Sequence, residues 1–153
     1  MFRFFLTSGL FAAAMLGSLP LSAQDSKKSA PPAVDVVKLE RDVVAAEKAL
    51  GTEHPDTVKQ RGVWAQALLG VGKKAEAAAA LTKNAAAIEK IRGAEHVELG
   101  RVLAQISLIL AERGEKAKAG LFGRRALAIL EKEKGADDVK LVAALKKSQG
   151  LPA

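Results

Sequence analysis

Cysteine and tyrosine are absent from this 153-residue chain, which holds only one tryptophan and two histidines. Without cysteine there is no disulfide, no thiolate metal site and no cysteine that could carry the lipid of a lipoprotein. The chain also lacks a glycine-rich phosphate loop and any serine or threonine with an evident histidine and acid partner. The sequence therefore predicts one small domain held by packing, with no enzymatic activity and no cofactor.

Charge is missing from the beginning of the chain, between Arg3 and Asp25. One cation, an apolar run, a helix-breaking proline and a small residue before the cut are typical of a secretory signal peptide. We expect residues 1–23 to form this signal, with cleavage after Ala23. An exported protein without cysteine fits a bacterial periplasm, so the expected location is periplasmic or secreted.

An uncleaved membrane anchor is the alternative for the same segment, since its uncharged run has about the length that a bilayer requires. Threonine, serine, glycine and proline dilute the run, and Lys27 and Lys28 on its far side give no asymmetry of positive charge. Contact with a membrane is expected only if the signal stays attached. Residues 24–33 are polar, contain paired prolines and are interpreted as a flexible linker.

Positive charge exceeds negative charge, with a net of +7 for the whole sequence. Such an excess favours anionic partners such as acidic proteins, cell-wall polymers or lipid headgroups. Export argues against nucleic acid. Three pairs of adjacent basic residues, Lys73-Lys74, Arg124-Arg125 and Lys146-Lys147, also lack the interleaved aromatic residues that a stacking platform for single-stranded nucleic acid requires.

A short loop recurs every 42 residues: Gly51-Thr-Glu-His-Pro-Asp56 returns as Gly93-Ala-Glu-His-Val-Glu98 and as Gly135-Ala-Asp-Asp-Val-Lys140. A period of about 20 to 50 residues indicates a solenoid, in which each unit buries its apolar face on its neighbours. Apolar residues at three-to-four spacing between the loops predict about six helices. The expected fold is therefore all-α over residues 34–148, with a leading half-unit, two full pairs and a polar capping half-unit. Residues 149–153 form a tail.

Two segments resemble the 42-residue variant of the tetratricopeptide repeat, which is found in kinesin light chains and many bacterial proteins. Leu50-Gly-Thr-Glu-His-Pro-Asp56 is similar to the loop of that family, and Arg125-Ala-Leu-Ala-Ile-Leu-Glu-Lys-Glu-Lys-Gly135 to the end of its second helix. The resemblance covers residues 34–148. It implies a right-handed α-solenoid of antiparallel helices that serves as a scaffold for protein–protein interaction.

The concave positions of this family differ in the present chain. Where members that clamp a C-terminal carboxylate carry lysine and asparagine, the sequence has Gly62, Gln66, Ala104 and Leu108, so the resemblance implies no such clamp. What it implies instead is a shallow, basic and partly apolar groove for an acidic protein or peptide. The residues that would face this groove are Lys59, Gln66, Leu69, Arg101, Leu108 and Lys146.

Two carboxylate–imidazole pairs, Glu53-His54 and Glu95-His96, lie in consecutive loops. A zinc site needs three or four converging ligands, and the third loop offers Asp137-Asp138 without histidine. The position of both histidines directly before a predicted helix favours helix capping and loop packing. No metal site is therefore expected.

Three hypotheses for function remain open. The first is an adaptor in the bacterial envelope that binds a protein or peptide in the groove. The second is an envelope protein that contacts anionic lipid or cell-wall polymer through distributed positive charge. The third is structural, with the exposed end of the leading half-unit packing on another copy to form a homodimer. Salt dependence separates the first two, because distributed electrostatic contacts fade as screening grows.

Overall fold

The structure, a computed structural model, describes residues 35–133 and 135–152. The predicted signal peptide, its cleavage site after Ala23 and the predicted linker lie outside the described residues. Within them, no helix combines the length and the apolar composition that crossing a bilayer would require. The helices are α1 Val36–Leu50, α2 Pro55–Gly70, α3 Lys74–Arg92, α4 Val97–Glu112, α5 Lys116–Leu130 and α6 Ala136–Gln149. The prediction of an all-α fold with six helices is thus confirmed over this part of the chain.

The ends of the helices repeat with the 42-residue period. His54 and His96 are the N-caps of α2 and α4, and each accepts a hydrogen bond at Nδ1 from the backbone N–H two residues later, at 3.2 Å. Gly51 and Gly93 end α1 and α3 with φ of 94° and 95°, a conformation that glycine adopts without steric cost. The predicted role of the histidines in capping is therefore confirmed.

The core is densest between α4 and α5. Leu99, Leu103 and Ile106 of α4 are fully or almost fully buried, as is Leu130 of α5. Gly100 allows the two helices to approach closely, since a Cβ at this position would lie 2.9 Å from a methyl group of Ile129. Packing of small and branched side chains at this crossing supplies the apolar burial that stabilises the domain.

Helices that follow one another in the chain lie in contact. Each of α1 to α5 touches the next helix, and α6 packs on both α4 and α5. Among the described residues α1 touches only α2, whereas α3, which lies one period later, touches both α2 and α4. One face of α1 is therefore left uncovered by the described part of the chain.

Candidate functional site

A cleft of about 560 Å³ opens between α2, α3 and α4. One wall is a row on α2 formed by Lys59, Val63 and Gln66, which share a face because they are spaced four and three residues apart. The opposite wall is a row on α4, and α3 closes the base together with Gly62. The remaining lining residues are Pro55, Asp56, Val58, Leu81, Asn84, Ile88, Ile91, Arg92, Glu98, Val102 and Gln105.

Polar groups mark the two ends of the cleft. At one end the amide of Gln66 donates from Nε2 to Oε1 of Gln105 across a distance of 3.4 Å. At the other end Arg92 pairs with Glu98, with Nε and Oε2 3.1 Å apart. Lys59 lies between these contacts, and in the described part of the chain no carboxylate pairs with its ammonium. The cleft therefore presents the Lys59 ammonium to a ligand, beside the exposed carboxylate of Asp56.

Apolar side chains are exposed beside this charge. Val63 is 52% exposed and Ile91 is 43% exposed, and Val102 of the opposite wall is only partly buried. Exposed aliphatic side chains that line a concave surface favour burial against a ligand.

Two of the six predicted groove residues, Lys59 and Gln66, lie together in the cleft. The other four lie elsewhere. Leu69 and Leu108 are partly buried and pack against the core. Lys146 lies on α6, where its Nζ is 3.3 Å from Oε1 of Glu131. The structure thus separates these leucines and this lysine from the cleft, and their contact with a partner stays a prediction.

Arg101, the sixth predicted residue, holds α4 to the beginning of α6. Its Nε and Nη2 donate to the two carboxylate oxygens of Asp138 at 2.7 and 2.8 Å, and the side chain of Asp138 is only 3% exposed. The hydrogen bond from Arg101 lowers the pKa of Asp138, and the same bond raises the pKa of Arg101. This guanidinium is therefore occupied within the fold.

A buried polar network beneath the cleft was not anticipated from the sequence. Arg61 is 1% exposed, and its guanidinium donates to Oε1 of Glu47 at 2.7 and 3.1 Å, to Oδ1 of Asn84 at 2.8 Å and to the carbonyl of Thr52 at 3.2 Å. Asn84 in turn donates from Nδ2 to the carbonyl of Val58 at 2.9 Å. Because Asn84 and Val58 also line the cleft, the network fixes its base.

A signal for this network does exist in the repeat. Arg61 falls on the buried stripe of α2, and the residues one and two periods later are Leu103 and Leu145, both buried. Asn84 likewise stands where the next period has the buried Ala126. Polar residues at two positions that are apolar in the next copy indicate that the two side chains meet.

The acidic residues beside the capping histidines are held by lysines. Glu53 pairs with Lys90, and one period later Glu95 pairs with Lys132. The hydrogen bond from Lys132 lowers the pKa of Glu95. In residues 35–133 and 135–152 no three histidine or acidic side chains are grouped so that they could hold a metal ion. Both loops thus use their charges to join a loop to the end of a later helix.

Comparison with known proteins adds no further identification: no protein-family model matches the chain, and no curated protein matches it. Function is therefore inferred from the cleft, the charges around it and the internal repeat.

Proposed function

We propose that the chain is a repeat protein of the tetratricopeptide type, folded as a right-handed solenoid, that binds a segment of a partner protein without enzymatic activity. The period in the helix bounds supports this proposal, because α2 and α4 span Pro55–Gly70 and Val97–Glu112, 42 residues apart at both ends. Short loops between consecutive contacting helices favour an antiparallel order. In such arrays the concave side is the usual binding surface.

The open cleft between α2, α3 and α4 is the observation that carries the binding proposal. An acidic segment places a carboxylate on Lys59 and an aliphatic side chain between Val63 and Ile91. The hydrogen bond between Gln66 and Gln105 is long at 3.4 Å and therefore weak. Both amides can exchange it for bonds to the backbone of the bound segment.

Apolar burial is expected to supply most of the affinity in this cleft. An exposed ion pair contributes only about 0.2 to 1 kcal/mol, whereas each 100 Å² of apolar surface removed from water contributes about 2.5 kcal/mol. Among the described residues only one cation of the cleft is unpaired, so charge contributes more to the specificity for the ligand than to the affinity. The proposed ligand is an acidic segment with at least one aliphatic anchor, presented to an exported protein in the periplasm or outside the cell.

Binding of a polyanion through distributed charge is the second candidate. It is favoured by cations that no described carboxylate pairs with, which lie on every helix except α4; they are Lys38, Arg41, Lys48, Lys59, Lys83, Lys116, Arg124 and Lys147. These cations do not converge on one place. A polyanion would therefore respond to the total charge rather than to any one lysine.

Two matched charge reversals separate the candidates. Lys59→Glu changes the cleft, while Lys116→Glu makes the same change of net charge on α5, at a helix start where an acidic residue is tolerated well. A displayed library of random peptides is selected on the purified chain, and the selected peptides are measured by fluorescence anisotropy at low and high salt. Circular dichroism verifies that both variants keep the helical content of the wild type.

The proposal predicts acidic peptides with aliphatic residues whose binding is lost in Lys59→Glu, kept in Lys116→Glu and largely retained at high salt. Equal weakening by both reversals, with loss at high salt, would favour the polyanion. Selected peptides that bind both variants like the wild type would place the site outside the cleft.

A further inference from the structure

A second cleft, of about 690 Å³, lies one period before the first, between α1 and α2. Eight of its lining residues stand 42 positions before residues that line the first cleft; they are Leu39, Asp42, Ala46, Ala49, Leu50, Asp56, Gln60 and Val63. The base of the second cleft and the wall that follows it in the chain therefore correspond, by the 42-residue period, to the base and the α4 wall of the first cleft. The first cleft has an earlier wall, α2, whereas no described helix supplies that wall to the second.

We propose that α6 of a second copy of this chain supplies the missing wall, so that copies join head to tail and the repeat continues across the interface. In the 42-residue repeat α6 corresponds to α2 and α4, and α1 corresponds to α3 and α5. Every α2–α3 and α4–α5 pair is in contact within one chain. The α6 helix of one copy and the α1 helix of the next would form a third pair of the same kind.

Ion pairs that repeat within the chain fix the register of this interface. Glu53 pairs with Lys90 and Glu95 with Lys132, each 37 residues apart, and join the loop before one helix to the end of the next. One period beyond the second pair, the acidic partner is Asp137, which is 96% exposed. The basic partner one period before Lys90 is Lys48, which pairs with no carboxylate in the described part of the chain.

The docked helix would bring Asp137 of one copy to Lys48 of the next. A second pair follows from the contact of Arg125 with Glu89, whose oxygens lie 2.6 and 3.1 Å from the guanidinium. Moved by the period, this contact places Glu131 of one copy, which also pairs with Lys146 of its own chain, beside Arg41 of the next. Two opposite-charge pairs thus occur in the register that the chain already uses.

Charges inside the second cleft also match α6. The cleft exposes two carboxylates, Asp42 and Asp56, and one cation, Lys59, so that its lining carries one net negative charge. The α6 residues that correspond to Gly62 and Val63 of the first cleft are Lys146 and Lys147. Acidic residues on the receiving face and lysines on the entering face favour this orientation and disfavour the pairing of two α1 faces.

Apolar surface at the end of α6 is also incompletely covered. Val139 is exposed although Val97, its counterpart on α4, is partly buried, and Leu141 is partly buried although Leu99 is fully buried. Docking on α1 would cover this surface. Because the two faces are different, the interface is heterologous and produces closed rings or open filaments rather than a symmetric dimer.

Charge exchange tests the register. Asp137→Lys and Lys48→Asp each place like charges at the interface, while the double variant restores an opposite-charge pair in reversed polarity. Self-association of the full chain is measured by sedimentation velocity over a concentration series at low salt. Each single variant should weaken association by about tenfold, because it removes the attraction of one exposed ion pair and adds a repulsion of similar size. The double variant, and an equimolar mixture of the two single variants, should recover it.

A wild-type chain that stays monomeric at every concentration overturns the proposal, and so do single variants that associate like the wild type. Crosslinking provides a second measurement because the chain has no cysteine of its own. Lys48→Cys combined with Asp137→Cys, treated with a short bismaleimide, should give a ladder of covalent oligomers. The control Lys48→Cys with Lys118→Cys should not, and equal ladders from both would exclude this register. The test is independent of the ligand of the first cleft.

Discussion

Removal of the Glu47 carboxylate tests the polar network beneath the cleft. The guanidinium of Arg61 is almost completely buried, and among the residues that the structure describes Glu47 is its only charged acceptor; Asn84 and the carbonyl of Thr52 are neutral. Glu47→Ala leaves these two neutral acceptors in place and takes away the negative charge. The variant therefore keeps a buried cation without its counter-ion, which is a strongly destabilising arrangement.

The expected loss follows from the exposure of the two side chains. Breaking a buried pair by removing one partner costs about 3 to 5 kcal/mol. The Glu47 side chain is 24% exposed, so water can reach the vacated space, and two hydrogen bonds to Arg61 remain. We therefore expect the lower end of that range, about 3 kcal/mol of unfolding free energy, out of a total of about 5 to 15 kcal/mol for a domain of this kind. Urea unfolding followed by circular dichroism measures the loss.

Two matched variants make the result specific. Glu89 stands one period after Glu47, but its partner Arg125 is solvent-exposed, so Glu89→Ala should cost much less. The triple variant Glu47→Met, Arg61→Leu and Asn84→Ala removes both charges of the pair, places the apolar residue types of the second repeat at positions 61 and 84, and should stay within about 1 kcal/mol of the wild type. A Glu47→Ala protein as stable as the wild type, or a triple variant as unstable as Glu47→Ala, would refute the reasoning.

Further predictions concern helix crossings and pH. Gly100→Ala places a methyl group against Ile129 and should cost about 1 to 3 kcal/mol of unfolding free energy. At Gly120 the nearest neighbour of an added methyl group is the flexible side chain of Arg124 at 3.7 Å, so Gly120→Ala should stabilise α5 by about 0.5 to 1 kcal/mol. Thermal melts that rank the two variants in the opposite order would contradict this assignment. Because hydrogen bonds from Arg101 lower the pKa of Asp138, the pair stabilises the fold fully above about pH 4, the ordinary pKa of aspartate, and progressively less as the pH falls further. The stability advantage of the wild type over Asp138→Asn should therefore be constant between about pH 5 and 8 and shrink below about pH 4, and an advantage that persists unchanged in acid would disprove the linkage.

The local features of the fold were predictable because neighbouring residues determine them. A glycine past a helix end and a histidine directly before the next helix specify the turn without information from elsewhere in the chain. The six helices follow from these turns and from the apolar spacing between them. The repeat therefore specifies where each helix begins and ends to within a few residues.

The candidate site was predictable only in part, because its residues depend on partners far away in the sequence. Arg101 was expected in the groove, but Asp138, 37 residues later, binds its guanidinium. The cleft is also asymmetric: Lys59 lies in its α2 wall, whereas Arg101, one period later on α4, does not line it. The sequence prediction assigned the same role to equivalent positions in every copy. It therefore could not distinguish the side of a helix that faces the preceding cleft from the side that faces the following cleft.

Differences between the copies link the buried network to the cleft. In the second repeat Leu103 and Ala126 are buried apolar residues. In the first repeat Arg61 and Asn84 stand at the corresponding positions, and Asn84 donates to the Val58 carbonyl at the cleft base. Apolar residues of similar volume would maintain stability, so this polar pair is best explained by the position that it gives to α2. The triple variant Glu47→Met, Arg61→Leu and Asn84→Ala should therefore remain folded yet bind the selected acidic peptides more weakly. Unchanged peptide affinity in a folded triple variant would show that the network serves packing alone.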